Sequence, residues 1–271
     1  MEMITTGTPI TCASKENDRL QLRYKTSGPN AAIEIYDTSE LYGEKGSFRI
    51  MQFSGEAVQG AMDLERPERI VFEYPRAIIH LMKQNDPAFE DVFAIGHGIG
   101  TIAGYFAEKR FKVAELDDKV VEISKAWFGC SGDHVVIGDG RQLLCMEKPD
   151  TYDYIVLDAF NAQGTPRHLI SSEFFRIARD KLHAGGAILM NLIGRGDNDR
   201  LINAVHTTLG EHFPHTVSFS MPSNRITDAK NIIMMGSGKP IRFQARHMAG
   251  FAEFAPGPGH LILDGIGEAA K

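Results

Sequence analysis

From about residue 67 onward, short apolar runs alternate with amphipathic stretches, and this alternation restricts the possible folds more than any other feature. Asp91–Ile95, Phe111–Glu115, His134–Ile137, Tyr154–Asp158 and Ala187–Leu192 read as strands, with late strands near Thr216–Phe219 and Asn231–Met235. Helical stretches lie between them: Pro75 to about Lys83, Ile102–Lys109, Lys119–Phe128, a short segment after Gly140, Ser171–Leu182 and Asp199–Leu209. Ala184-Gly185-Gly186 is expected to stop the Ser171–Leu182 helix. Strands separated by helices join through right-handed crossovers, so residues 65–240 are predicted to form an α/β domain with a mostly parallel, seven-stranded sheet.

Residues 1–64 follow a different period. Leu20–Tyr24 and Ala32–Tyr36 alternate apolar with polar residues around the turn cluster Ser27-Gly28-Pro29-Asn30, which reads as a β-hairpin. Phe48–Phe53 adds a third strand, giving a small N-terminal antiparallel β-unit. The segment 241–271, rich in Gly and Pro towards its end, has no periodicity that places it.

Composition excludes several classes. An apolar content of 43% can bury a core, which intrinsic disorder cannot. The charge balance of 29 basic against 35 acidic residues gives −6, without the basic stripe of a nucleic-acid binder. No apolar run approaches the roughly 20 residues that span a bilayer, so no membrane partner is expected. The N-terminal segment has neither a basic start nor an apolar core, so no secretory leader is expected. Cys12, Cys130 and Cys145 are odd in number and widely spaced, which suits a reducing cytoplasm. The ten histidines show no metal-ligand spacing along the chain, and no metal is expected.

In an open α/β sheet, ligands bind beyond the carboxyl ends of the strands. Here those ends carry Gly96-His97-Gly98-Ile99-Gly100, then Glu115, then Asp139-Gly140, then Asp158. Glycines let a ligand approach the backbone closely. A carboxylate after the next strand can accept both hydroxyls of a ribose. Glycine-loop-plus-acid pairs of this kind serve both NAD and S-adenosylmethionine (AdoMet) domains. Two details favour the sulfonium nucleoside: Thr101 stands where a dinucleotide fingerprint wants its third glycine, and Asp139 can reach an adenine amino group. Asp139 can equally cap the helix after it.

Three segments carry a resemblance: Ala94–Gly100 through Ala114–Asp117, then Gly138-Asp139-Gly140-Arg141, then Tyr152–Phe160. Together with Gln59–Asp63 and Val71–Tyr74, they resemble the spermidine synthase-like proteins over about residues 47–236. The resemblance implies a Rossmann-like, class I AdoMet-dependent methyltransferase fold. It also implies an aminopropyl-transferring enzyme of polyamine biosynthesis, using AdoMet or decarboxylated AdoMet as co-substrate and a small amine as acceptor. Carried over residue by residue, it puts Glu115 on the ribose, Asp139 and Gly140 on the adenine, and Gly96, Gly98 and Gly100 along the methionine-derived tail. Gln59 and Tyr74 would approach from the β-unit side, and Asp158 would help deprotonate the attacking amine. His80, Asn161 and Gln163 are further candidates for acceptor contact. Related enzymes pair through their N-terminal elements, which implies a homodimer.

The chain departs from that pattern at three places. Ile99 and Asn161 stand where the family carries aspartates, and its Tyr-His-Glu segment reads Tyr74-Pro75-Arg76 here. Each lost charge contact weakens attraction for a dicationic diamine by roughly 1–3 kcal/mol. An AdoMet-dependent small-molecule methyltransferase is therefore the alternative reading, and a non-catalytic nucleoside-binding protein is the third.

Overall fold

The computed structural model describes residues 20–27, 32–53, 58–161, 164–195, 199–222 and 229–265. The chain divides into two compact units, Met1–Val71 and Phe72–Lys271. The expected boundary at 64 moves to 71 because residues 65–71 fold back onto the first unit. There Arg69 forms ion pairs with Asp63 (3.1 Å) and Glu44 (2.6 Å), and Ile70 bridges to Met62.

The first unit is an antiparallel sheet of β1 (Leu20–Ser27), β2 (Ala32–Leu41), β3 (Glu44–Phe53) and β4 (Val58–Asp63), in that spatial order. The expected β1–β2 hairpin forms, with Leu22 opposite Tyr36, and a bulge between Leu22 and Tyr24 breaks the alternation of β1. Ile33, Ile35, Phe48, Ile50 and Met51 are buried, each of which contributes about 1.5–3 kcal/mol. Strand β4 escapes a reading by period because Gly60 interrupts its short run.

The second unit contains α1 (Glu73–Asn85), β5 (Asp91–Ile95), α2 (Thr101–Tyr105), β6 (Arg110–Glu115), α3 (Asp118–Phe128), β7 (Val135–Ile137) and α4 (Gly140–Cys145). It continues with β8 (Tyr152–Leu157), α5 (Ser172–Lys181), β9 (Leu182–Gly194), α6 (Arg200–Gly210), β10 (His215–Ser220), β11 (Lys230–Ser237) and β12 (Ala252–Phe254). The sheet order is β12-β10-β11-β9-β8-β5-β6-β7. Strands β7, β6, β5, β8 and β9 run parallel, whereas β11, β10 and β12 pair antiparallel. The expected seven strands are present, and β12 makes an eighth. It was invisible in the sequence because three residues carry no period. The order reverses at β5, which has β6 on one side and β8 on the other, so a ligand crevice belongs at the ends of β5 and β8.

Two element lengths differ from expectation. Helix α2 ends at Tyr105 instead of Lys109, because Phe106 turns into the core and stacks edge-on against Phe89 at 4.9 Å. Strand β9 begins at Leu182, so Ala184-Gly185-Gly186 lies inside a strand instead of after a helix. The register shift between Tyr152 and Tyr154 on β8 absorbs the irregularity.

The segment after β11 packs on the second unit. Ile262 N donates to Thr208 Oγ1 (2.9 Å), Gly259 N to Thr207 Oγ1 (2.9 Å), and Ser172 N to Ile262 O (2.8 Å). These bonds satisfy the backbone of a strap that has no secondary structure of its own over residues 255–265. Arg141 closes it with a bidentate pair to Asp264 (2.7 and 2.6 Å), both side chains being part-buried. Among the described residues no helix is long and apolar enough to cross a membrane.

Candidate active site

Strands β5, β6 and β8 end side by side. Gly96 N donates to Ala114 O (2.9 Å), and Asp158 N donates to Ile95 O (2.8 Å). Gly96 has φ +96°, and a Cβ there would lie 2.0 Å from the Asp158 carbonyl oxygen. No other residue fits, so this glycine is what lets the β5 turn lie against the end of β8. Gly98 and Gly100 also have positive φ, and Gly100 starts α2. Gly140 packs against Ile95 with no room for a side chain.

Glu115, ending β6, is anchored at both oxygens. Oε2 accepts from His97 N (2.9 Å) and Oε1 from Asp117 N (3.0 Å). Burial raises its carboxyl above the ordinary glutamate range, and the amide bonds oppose that rise. The group is thus oriented beside the glycine turn, where an acid facing a ribose would stand.

Asp139 shows the capping role. Its Oδ1 accepts from Gln142 N (2.9 Å) at the start of α4, and its Oδ2 meets His168 Nε2 (3.0 Å). An adenine amino group would have to share these oxygens.

The most specific feature surrounds Asp158. Its Oδ1 accepts from Asn191 Nδ2 (2.9 Å) on β9, and the Tyr74 hydroxyl, from the first turn of α1, donates to the same carboxylate. Asn191 Oδ1 in turn accepts from Asn231 Nδ2 (2.8 Å) on β11. Burial lifts the Asp158 carboxyl above the usual aspartate range, while the Asn191 and Tyr74 bonds lower it. Burial and the neighbouring carboxylate hold the Tyr74 phenol well above its ordinary value, so Tyr74 remains a donor. A carboxylate raised in this way accepts a proton more readily near neutrality than a solvated one. Asn191 and Asn231 went unread because each lies in an apolar strand with no motif; an asparagine inside a buried run is the signal available.

The remaining candidates separate. His80 does not join this cluster: its Nε2 accepts from Gln244 N (3.0 Å), and its ring packs 5.4 Å from that of His247. It pins the segment after β11 to α1. Asn161 pairs with Gly164 through both backbone bonds (3.0 and 2.9 Å) in the loop after β8. Gln163 lies outside the described residues. Gln59 lies half-buried on β4 of the first unit.

His97 turns inward from the glycine turn, and burial pushes its imidazole down to about 4. The fold brings it close to Cys130 and His134, with one potential ligand atom of each residue lying within 4.8 Å of the others. Spacing along the chain concealed this group, because the three residues flank different elements.

The sheet order, the glycine turn at the reversal point and the acids at successive strand ends define a Rossmann-like α/β protein of the class I methyltransferase type. A probable spermidine synthase from Corynebacterium glutamicum superposes with a TM-score of 0.69 at 24% identity, covering 82% of each chain. Spermidine synthase from Thermotoga maritima follows at 0.63 and 17%, covering 87% of this chain and 84% of that one. In sequence, the chain is 28% identical to the polyamine aminopropyltransferase of Vibrio vulnificus, over 69% of this chain and 68% of that protein. It is 26% identical to putrescine N-methyltransferase 2 of Nicotiana attenuata, over 59% of this chain and 47% of that protein. The chain thus spans between about half and two thirds of these two curated relatives' lengths. Residues 71–240 match the spermine/spermidine synthase domain, and the chain belongs to that family.

Proposed function

We propose that the chain is an aminopropyltransferase, moving an aminopropyl group from decarboxylated AdoMet to a small amine. The observation that carries this reading is Asp158, a part-buried carboxylate held between Tyr74 and Asn191 at the end of β8, against the glycine turn. An amine is protonated at neutral pH and has no free lone pair. Asp158 would take that proton, the nitrogen would attack the carbon attached to sulfur, and the carbon–sulfur bond would break. The sulfur keeps the bonding electrons and leaves as neutral methylthioadenosine. Because the sulfonium is already activated, the protein supplies alignment and proton removal. Glu115 would hold the ribose and Gly96, Gly98 and Gly100 would line the tail of the donor.

Ile99 and Asn161 favour a second reading, methyl transfer from AdoMet, because they remove carboxylates suited to a second ammonium group. Calorimetric titration separates the two. Decarboxylated AdoMet and methylthioadenosine are expected to bind more tightly than AdoMet. Preference for AdoMet would transfer the assignment to methyl transfer, and no heat from any of the three would reject both.

A homodimer in a cytoplasmic setting accords with this reading. Leu20 and Leu22 share a face of edge strand β1 and are 38% and 51% exposed, an apolar pair suited to a second copy. Light scattering is expected to give twice the 30.0 kDa chain mass, and a single-chain mass would refute pairing.

A further inference from the structure

We propose a site for a zinc-class divalent cation formed by His97, Cys130 and His134. One potential ligand atom of each residue lies within 4.8 Å of the others. Ligand atoms around a tetrahedral zinc with ordinary Zn–N and Zn–S bonds stand about 3.6 Å apart. The three ligand atoms are therefore gathered to near that spacing.

Two further observations point to a ligand. His97 is 8% exposed, and its Nδ1 has no hydrogen-bond partner; His134 Nε2 is buried and equally unpartnered. Buried imidazole nitrogens ordinarily find partners. Ser124 Oγ donates to Val121 O (2.9 Å), so it accepts from His97 Nε2 (2.8 Å). This assignment leaves the His97 lone pair on the unpartnered Nδ1. An acceptor on the other ring nitrogen fixes the tautomer and orientation of a metal-bound histidine, and here the Ser124 hydroxyl supplies it. Gly100 completes the space, since a Cβ there would lie 2.8 Å from Cys130 Sγ and 3.3 Å from His97 Cε1.

The donor set selects the ion. One thiolate and two imidazoles suit zinc and its neighbours, whereas magnesium and calcium take oxygen ligands. Binding releases the Cys130 proton to solvent, and the thiolate with Asp133 offsets the charge of nearby Lys125. Three protein ligands leave a fourth position for water. The ion would tie the turn after β5 to the loop between α3 and β7, and so hold the glycine turn in place. This site stands whether or not the chain transfers an aminopropyl group.

The test is titration of the full chain, carrying Cys12→Ser and Cys145→Ser, with Co2+. One equivalent is expected to give near-ultraviolet thiolate-to-cobalt absorption and the visible bands of four-coordinate cobalt, both abolished by Zn2+. Adding Cys130→Ser should remove the near-ultraviolet band, and adding His134→Ala should weaken Co2+ binding at least tenfold. Zn2+ should raise the melting temperature of the parent and not of the Cys130→Ser variant, whose far-ultraviolet circular dichroism reports folding. Absence of the thiolate band in the folded parent, or its survival in Cys130→Ser, would overturn the proposal.

Discussion

Asp158→Asn is expected to lower the transfer rate by about 10²–10⁴-fold while nucleoside binding stays near that of the parent. Asparagine keeps an oxygen for the Asn191 amide and the Tyr74 hydroxyl, so the shape of the site survives and only proton acceptance is lost. In the parent, kcat/KM should fall on the acid side with a midpoint above the ordinary aspartate value, because only the ionised carboxylate accepts the proton. Stability should move the other way. The folded-state pKa of Asp158 lies above its unfolded value, so ionising it costs stability once the pH exceeds the unfolded pKa. Asp158→Asn, neutral throughout, should therefore melt no lower than the parent at neutral pH, with any gain disappearing in acid. Functional groups commonly carry such a cost. Full turnover by the variant with normal binding would remove Asp158 from the chemistry.

Arg141→Ala is expected to destabilise the second unit by about 1–3 kcal/mol, the usual result of stranding one partner of a part-buried, bidentate hydrogen-bonded pair. The Arg141 guanidinium holds Asp264 bidentately and also donates to His168 O (3.0 Å), so its loss frees the strap after β12 at its far end. Arg141→Ala combined with Asp264→Ala should cost less than the two single changes added together, since the double change leaves no unpaired charge. The pH dependence has a definite sign. Arg141 holds the Asp264 carboxyl below its ordinary value, so the stabilisation is present above the unfolded pKa and is lost as the pH falls through the folded one. The single variant should lack that part of the acid sensitivity. Chemical denaturation at neutral and acid pH measures both effects. A loss under 1 kcal/mol would mean that the pair is solvated in practice.

Position in the chain accounts for how much of the site was legible. Gly96, Gly98, Gly100, Glu115, Asp139 and Asp158 all follow strands whose apolar runs are plain, and a parallel sheet brings such strand ends together whatever the details. The local period therefore determined the element order, the parallel core and the row of glycines and acids along one sheet edge. Contacts between residues far apart in the chain were decided by the tertiary structure. Asn191 meets Asp158, and Asn231 meets Asn191, only because β9 pairs with β8 and β11 with β9. His80 was drawn to the segment after β11, and Asp139 to His168, by neighbours that no spacing announces. The strap over residues 255–265 and the grouping of His97 with Cys130 and His134 arise in the same way. Hydrophobic periodicity is a property of adjacent residues and can be read in order, whereas a polar side chain's partner depends on which backbone the packed core brings within 3 Å or so of it.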